Sequence, residues 1–279
     1  MTGQSVGHPA EKSIDGIHYK ISGDGPRTVV LLRGLGRWSE HWLGVENLLA
    51  AEGLRVISID NRGFGKSKDV LLAKDQNVDQ FADDVSAVIT KEAPSGAHII
   101  GVSLGGMIAL SLAALKPQLV KSLVIINSSV AGSKCSRLKP KAVLALAAVA
   151  IGSKKAYDRL AGVLLGATSS ADKKTKLASS WSAIDARSKF TLGPVWSQLL
   201  AAKRFQGFSE MAAIQCPVTV IKSEGDLFID PANSDFIHKQ IKGSTLIKHP
   251  TAGHELAFDD TEWFVKTVTD QVSGRTSAK

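Results

Sequence analysis

The stretch from His98 to Met107, HIIGVSLGGM, leaves this chain few folding choices. The apolar run from Ala97 to Val102 reads as a buried strand, and Ile108, Ala109, Leu110 and Ala113 continue as a helix. Gly101-x-Ser103-x-Gly105 stands between them, so strand and helix join through one tight turn with a serine at its tip. Glycines flank that serine because the backbone is strained there and the two elements pack too closely for side chains. Such a turn lifts the Ser103 hydroxyl above the sheet edge and aims the first helical N–H groups at any anion beside it. A serine hydroxyl is nearly inert at its own pKa, so a nucleophilic Ser103 requires a base, an acid and a second anion-binding N–H elsewhere.

The rest of the chain alternates strands with helices. Ser13 to Ile21 reads as a hairpin turning at Asp15-Gly16, and strands are expected at Thr28–Leu32, Arg55–Asp60, Lys121–Asn127, Pro217–Lys222 and Ser244–Lys248. Helical spacing covers Trp38–Ala51, Val78–Glu92, Ala232–Ile241 and Thr261–Val272, with a frayed tail from Ser273. This order predicts an α/β fold: a mainly parallel, eight-stranded sheet with helices on both faces. The alternation halts over 133–210, which is rich in Ala, Leu, Lys and Ser and reads as a helical insertion. The core domain is then 1–132 plus 211–279.

Seven histidines are available as the base. His8 and His18 lie in the tail and first hairpin, His98 starts the serine strand, His41 follows a glycine-rich loop, and His249 ends a strand. His254 sits in Thr251-Ala-Gly-His-Glu255, a loop just after the last strand, and functional loops of α/β sheets lie at the carboxyl ends of strands. An acid that orients this histidine should open on the same edge. Lys222-Ser-Glu-Gly-Asp-Leu-Phe-Ile-Asp-Pro231 supplies three: Glu224 nearest the strand, Asp226 a few residues beyond, and Asp230, which also suits a helix N-cap.

Ser103, Asp226 and His254 occur in nucleophile–acid–base order. With Arg33-Gly34-Leu35-Gly36 after the third strand and Asp60-x-Arg62-Gly63-x-Gly65-x-Ser67 after the fourth, nearly the full chain resembles the α/β-hydrolase superfamily, in its serine esterase and lipase-like branch. The resemblance implies Ser103 as nucleophile, Asp226 as acid and His254 as base, with oxyanion N–H donors at Leu35 and Leu104. It also implies that 133–210 is a cap over the site, and that carboxylic esters are cleaved through an acyl-enzyme without a cofactor. Alternative activities are an esterase or thioesterase acting on an acidic carrier protein, in a charge pattern similar to pimeloyl-carrier-protein methyl ester esterases, or a lipid-directed lipase or lysophospholipase. A non-catalytic binding protein on the same fold is the remaining alternative. Relatives carry His-Gly where this chain has Arg33-Gly34. Arg33 is either a buried cation bonding loop carbonyls or a group that binds a substrate carboxylate. With Trp38 and Leu227 it is a candidate for the substrate pocket.

Several other classes lack their motifs. Gly65-Lys66-Ser67 has Asp60 where a phosphate loop needs glycine, Gly34-x-Gly36 lacks the third dinucleotide-binding glycine, and no His/Cys set has metal-ligand spacing. Serine at 103 departs from the dehalogenase and epoxide-hydrolase branches, which place Asp at the elbow. No run reaches the ~18 apolar residues of a membrane span, no apolar core suggests a signal peptide before Lys12, and two cysteines suit a reduced, cytoplasmic setting.

The net charge of +8 is unevenly placed, because 133–210 holds fourteen Lys and Arg against four Asp and Glu. So basic a cap suggests an acidic carrier protein, an anionic lipid surface or an anionic substrate as partner; nucleic acid is not expected, since no stacking aromatics interleave the lysines. Cap side chains such as Val143, Leu144, Leu146, Val149, Ile151, Leu160, Leu164, Trp181, Phe190 and Trp196 either line an acyl pocket or bury the helices on one another.

Overall fold

Parallel strands covered on both faces must be apolar on both, and here each strand sends alternate residues into two separate cores. In the computed structural model, which describes residues 9–73, 75–188 and 191–274, β1 (Ala10–Ile14) and β2 (Ile17–Ser22) form the expected hairpin. β3 (Arg27–Leu32), β4 (Leu54–Ile59), β5 (Ala97–Val102), β6 (Val120–Ile126), β7 (Val218–Ser223) and β8 (Thr245–His249) complete an eight-stranded sheet ordered β1-β2-β4-β3-β5-β6-β7-β8. The two pairings of β2 are antiparallel and the others parallel.

α1 (Val45–Ala51) lies on one face, and α2 (Val78–Glu92) and α3 (Leu104–Leu115) on the other. Val30 and Leu32 of β3 join Phe81, Val85 and Ile108 in the first core. Val29 and Leu31 of the same strand join Val45 and Leu49, with Phe264 and Val268 from the C-terminal helix, in the second.

Between β6 and β7 run α4 (Pro140–Ala150), α5 (Ala156–Leu164), α6 (Ala171–Ser188), α7 (Leu192–Arg204) and α8 (Phe208–Ala213). α9 (Ala232–Gln240), α10 (Leu256–Asp259) and α11 (Thr261–Ser273) follow. α4, α5 and α6 build a third core above the sheet, around Leu160, Leu164, Leu177 and Trp181, and it closes onto Trp38, Phe64 and Phe228. α8 straddles the expected boundary at 210 and packs on α3 and α9.

Two elements differ from expectation. The helix expected over Trp38–Ala51 is a short 3₁₀ turn (Ser39–Trp42) and then α1, because Leu43 and Gly44 both take positive φ, 53° and 92°. The turn α10 in the loop after β8 was not anticipated. His8, Phe190 and the tail from 275 lie outside the described residues.

The sheet register decides what meets at its edge. Leu32 pairs with Gly101, Val102 with Ile126, Ile126 with Ile221, and Ser223 with His249. The carboxyl ends of β3, β5, β6, β7 and β8 are therefore level, and the loops after them open on one side.

Candidate active site

Ser103 leaves β5 with φ 56° and ψ −119°, a conformation that costs a non-glycine residue about 1–3 kcal/mol. Surrounding packing holds it there. A Cβ on Gly101 would lie 2.3 Å from the Gly105 carbonyl oxygen, and one on Gly105 would lie 2.3 Å from that of Leu32. The Ser103 N–H donates to the Ile126 carbonyl at 2.9 Å, and the Ser128 hydroxyl donates to the Ser103 carbonyl at 2.7 Å. α3 begins at Leu104; the Ser103 carbonyl accepts the Gly106 N–H at 2.9 Å, and the Leu104 N–H precedes the first intrahelical bond. On the other side Gly34 comes so close that a Cβ would sit 3.0 Å from the Ser103 Cβ, and the next residue, Leu35, lines the same cavity as Ser103.

His254 and Asp226 meet although 28 residues separate them: Nδ1 of the histidine lies 2.7 Å from Oδ2 of the carboxylate, with both residues buried. The Asp226 Oδ1 accepts the N–H groups of Phe228 (2.7 Å) and Ile229 (3.0 Å), and the Lys139 ammonium donates to its carbonyl at 2.6 Å. The carboxylate is thus oriented before the histidine reaches it. Glu224 pairs instead with Lys222, and Asp230 accepts the Ala232 N–H at the start of α9. Burial depresses the His254 pKa, but the charge and hydrogen bond of Asp226, helped by Glu255 and opposed by Arg33, raise it overall.

Two residues that the sequence did not single out hold the histidine loop. Asn127, at φ 45° after β6, donates to the carbonyls of Gly253 (3.2 Å) and His254 (3.1 Å) and accepts the Ser223 N–H. Asparagine tolerates positive φ better than most residues, and here that conformation turns its amide across to β7. Asp259 accepts the N–H groups of Gly253 and Gly166, each at 2.7 Å. An asparagine after a strand and an aspartate after the histidine are common enough that only the fold marks them.

Ser103, His254, Gly34 and Leu35 line one cavity of about 330 Å³. Its apolar wall is Leu146, Leu160, Leu164 and Trp181 from the inserted helices, with Phe228, whose ring is 4.7 Å from the His254 imidazole. Arg37 and Glu255 supply charge.

Arg33, Trp38 and Leu227 do not line this cavity. Arg33 is buried, and its partner is neither a loop carbonyl nor an open anion site: its Nη2 donates to Glu255 at 2.8 Å, and its guanidinium lies 4.6 Å from the Trp42 ring. Trp38 packs edge-on to His41 in the third core. Leu227 also packs there, and its neighbour Phe228 turns to the cavity instead. Val143, Leu144, Ile151 and Trp196 face solvent.

The inserted helices grip the loop after β3. The Gly36 N–H donates to Oε1 of Gln198 on α7 (2.8 Å), and Arg37 donates to Asp185 on α6 (3.0 Å) beneath the Trp181 ring. Asp185 also contacts His41 (3.2 Å) and accepts the Tyr157 hydroxyl (2.6 Å). Burial pushes the His41 pKa down to about 3, so this histidine is neutral. Asp60 explains its motif: its two oxygens accept the N–H groups of Ser39 and Lys66, tying together the loops after β3 and β4. Among the described residues no cluster of three His, Cys, Asp or Glu is arranged to hold a metal, and no helix is long and apolar enough to cross a membrane.

Residues 27–158 match the alpha/beta hydrolase fold family. A carbamate hydrolase by provisional assignment, RutD of Variovorax paradoxus, is 36% identical over 113 residues, 40% of this chain. The chain spans well under half the length of the curated relatives it matches first, 29% of one and 42% of RutD. Among solved structures, Est816, described as an N-acyl homoserine lactone degrading enzyme, is 25% identical with a TM-score of 0.75, covering 93% of this chain and 98% of its own. The esterase EaEST from Exiguobacterium antarcticum shares the fold at 19% identity and a TM-score of 0.78, over 94% of this chain and 98% of its own. The eight-stranded sheet, the Ser103 elbow and the matched segment agree on one architecture: the chain has the α/β-hydrolase fold.

Proposed function

We propose that this protein hydrolyses carboxylic esters through an acyl-enzyme on Ser103. The observation that carries the proposal is the 2.7 Å contact of buried His254 and Asp226 in the cavity that also receives the strained Ser103. Asp226 accepts the Nδ1 proton of His254 and leaves Nε2 free to take the proton of the Ser103 hydroxyl. The serine oxygen bonds to the carbonyl carbon, and the N–H groups of Leu35 and Leu104 receive the oxyanion, each donor contributing ~3 kcal/mol in the transition state. His254 returns its proton to the departing alcohol. Water then repeats the sequence: His254 takes its proton, the hydroxide oxygen bonds to the acyl carbon, and as the bond to Ser103 breaks His254 returns that proton to the serine oxygen and the carboxylic acid leaves.

Most of the cavity wall supplied by the inserted helices is apolar, which suits a short aliphatic acyl group. Relatives named for carbamate, lactone and ester cleavage support the same first step, attack on an acyl carbonyl. Replacing Ser103 with Ala should abolish turnover of p-nitrophenyl butyrate and block labelling by a fluorophosphonate probe. Undiminished turnover in that variant would sink the mechanism, and a wild-type protein that takes no label would favour a binding role.

A further inference from the structure

We propose that the outer face of α4 docks this protein on an anionic lipid bilayer. α4 buries Ala142, Ala145 and Ala148 and turns Leu146 into the cavity, yet its opposite side is apolar too. Leu144 is 70% exposed and Ile151, just past the helix end, 81%. A solvated helix face ordinarily carries polar side chains. This one has no charged side chain between Lys141 and Lys154.

Cations stand at both ends of the strip. Lys134, Arg137 and Lys141 precede it, Lys154 and Lys155 follow it, and all five are exposed. No acidic residue occurs anywhere from 93 to 157. Eleven helical residues span about 16 Å, so the strip can sink among acyl chains while flanking ammonium groups stay with anionic headgroups. A second copy fits poorly, because pairing two such faces sets lysine cluster against lysine cluster. An acidic protein would answer the charges, but no side chain of the strip on α4 is aromatic, and Arg159 of α5 borders it from the side. The inner sides of α4 and α5 supply Leu146, Leu160 and Leu164 to the cavity, so docking brings that cavity to the bilayer. The proposal concerns where the protein sits and is independent of the reaction it performs.

The test is cosedimentation of the full chain with vesicles of phosphatidylcholine alone or mixed with phosphatidylglycerol. Wild type should pellet with the mixed vesicles only. Binding should weaken on the order of tenfold or more in Leu144→Glu/Ile151→Glu and again in Lys141→Glu/Lys154→Glu/Lys155→Glu, with circular dichroism and p-nitrophenyl butyrate turnover unchanged in both. Failure to pellet, equal binding to neutral vesicles, or binding that survives Leu144→Glu/Ile151→Glu overturns it. Retention on an immobilised acidic carrier protein without vesicle binding overturns it in favour of a protein partner. A concentration-dependent dimer dissolved by Leu144→Glu/Ile151→Glu, without vesicle binding, overturns it in favour of a second copy.

Discussion

Arg33 and Glu255 form an ion pair of 2.8 Å across 222 residues of sequence, with side chains only 1% and 7% exposed. Arg33 immediately precedes Gly34-Leu35, and Glu255 immediately follows His254. The pair therefore staples the loop proposed to hold the oxyanion to the loop that carries His254, the proposed base. Removing one member of a buried pair strands the other charge at a cost of about 3–5 kcal/mol, whereas replacing both with apolar residues is often neutral. Glu255→Gln should lower unfolding stability by about that amount. Arg33→Met/Glu255→Leu should recover most of the loss in urea denaturation. A double variant no more stable than Glu255→Gln would contradict the pairing.

As the proposed base, His254 should set the acid limb of the pH profile. Burial lowers its pKa, but Asp226 above all and Glu255 with it raise it past the usual histidine value. The base is then protonated to a higher pH than a free histidine, and kcat/KM should rise with pH through that elevated value. Asp226→Asn should move the limb to lower pH while reducing kcat by about 10⁴-fold. The linkage has the opposite sign for stability. A raised folded-state pKa stabilises fully below the unfolded histidine pKa, and that contribution is lost as pH rises through the folded value. Denaturant midpoints of wild type and His254→Gln, compared across that window, should converge as pH rises.

Gly105 admits no side chain. Its Cβ would lie 2.3 Å from the Leu32 carbonyl oxygen, a backbone atom that cannot swing away. Gly105→Ala should therefore destabilise by about 1–3 kcal/mol or more and spread strand β3 from the elbow. Gly162, inside α5 with nothing within 4 Å of its Cβ position, is the control. Gly162→Ala should stabilise by about 0.5–1 kcal/mol. Thermal melts of the two variants should move in opposite directions.

Gln198 tests the grip of the inserted helices. Its Oε1 accepts the Gly36 N–H at 2.8 Å, and the residue is fully buried. Gln198→Leu leaves that N–H unpaired, at a cost of about 1–3 kcal/mol. The loss should fall on kcat more than on KM, because Leu35 is adjacent and its N–H is proposed to act chiefly on the oxyanion. Steady-state kinetics on p-nitrophenyl butyrate separate the two.

Local chemistry made much of this legible. The elbow, the hairpin at Asp15-Gly16 and the alternation of strands with helices rest on turn residues and periodicity within a dozen positions. The break at Leu43-Gly44 was missed because the apolar spacing continues through it. Adjacency to the loop after β3 leaves Trp38 and Arg33 open between pocket wall and interior, and the structure buries both. Cap side chains could not be sorted into inward and outward from composition: Leu146 faces the cavity and Leu144 faces water, two residues apart on one helix.

The sequence by itself determined an α/β sheet with a serine-tipped turn, and an order of serine, acid and histidine along the chain. Tertiary structure decided which of three acids meets His254, that Arg33 answers Glu255, and that Asn127 and Asp259 brace the histidine loop. The physical reason is register. Parallel pairing brings the carboxyl ends of β3, β5, β6, β7 and β8 level, and residues far apart in sequence become neighbours only once that edge exists.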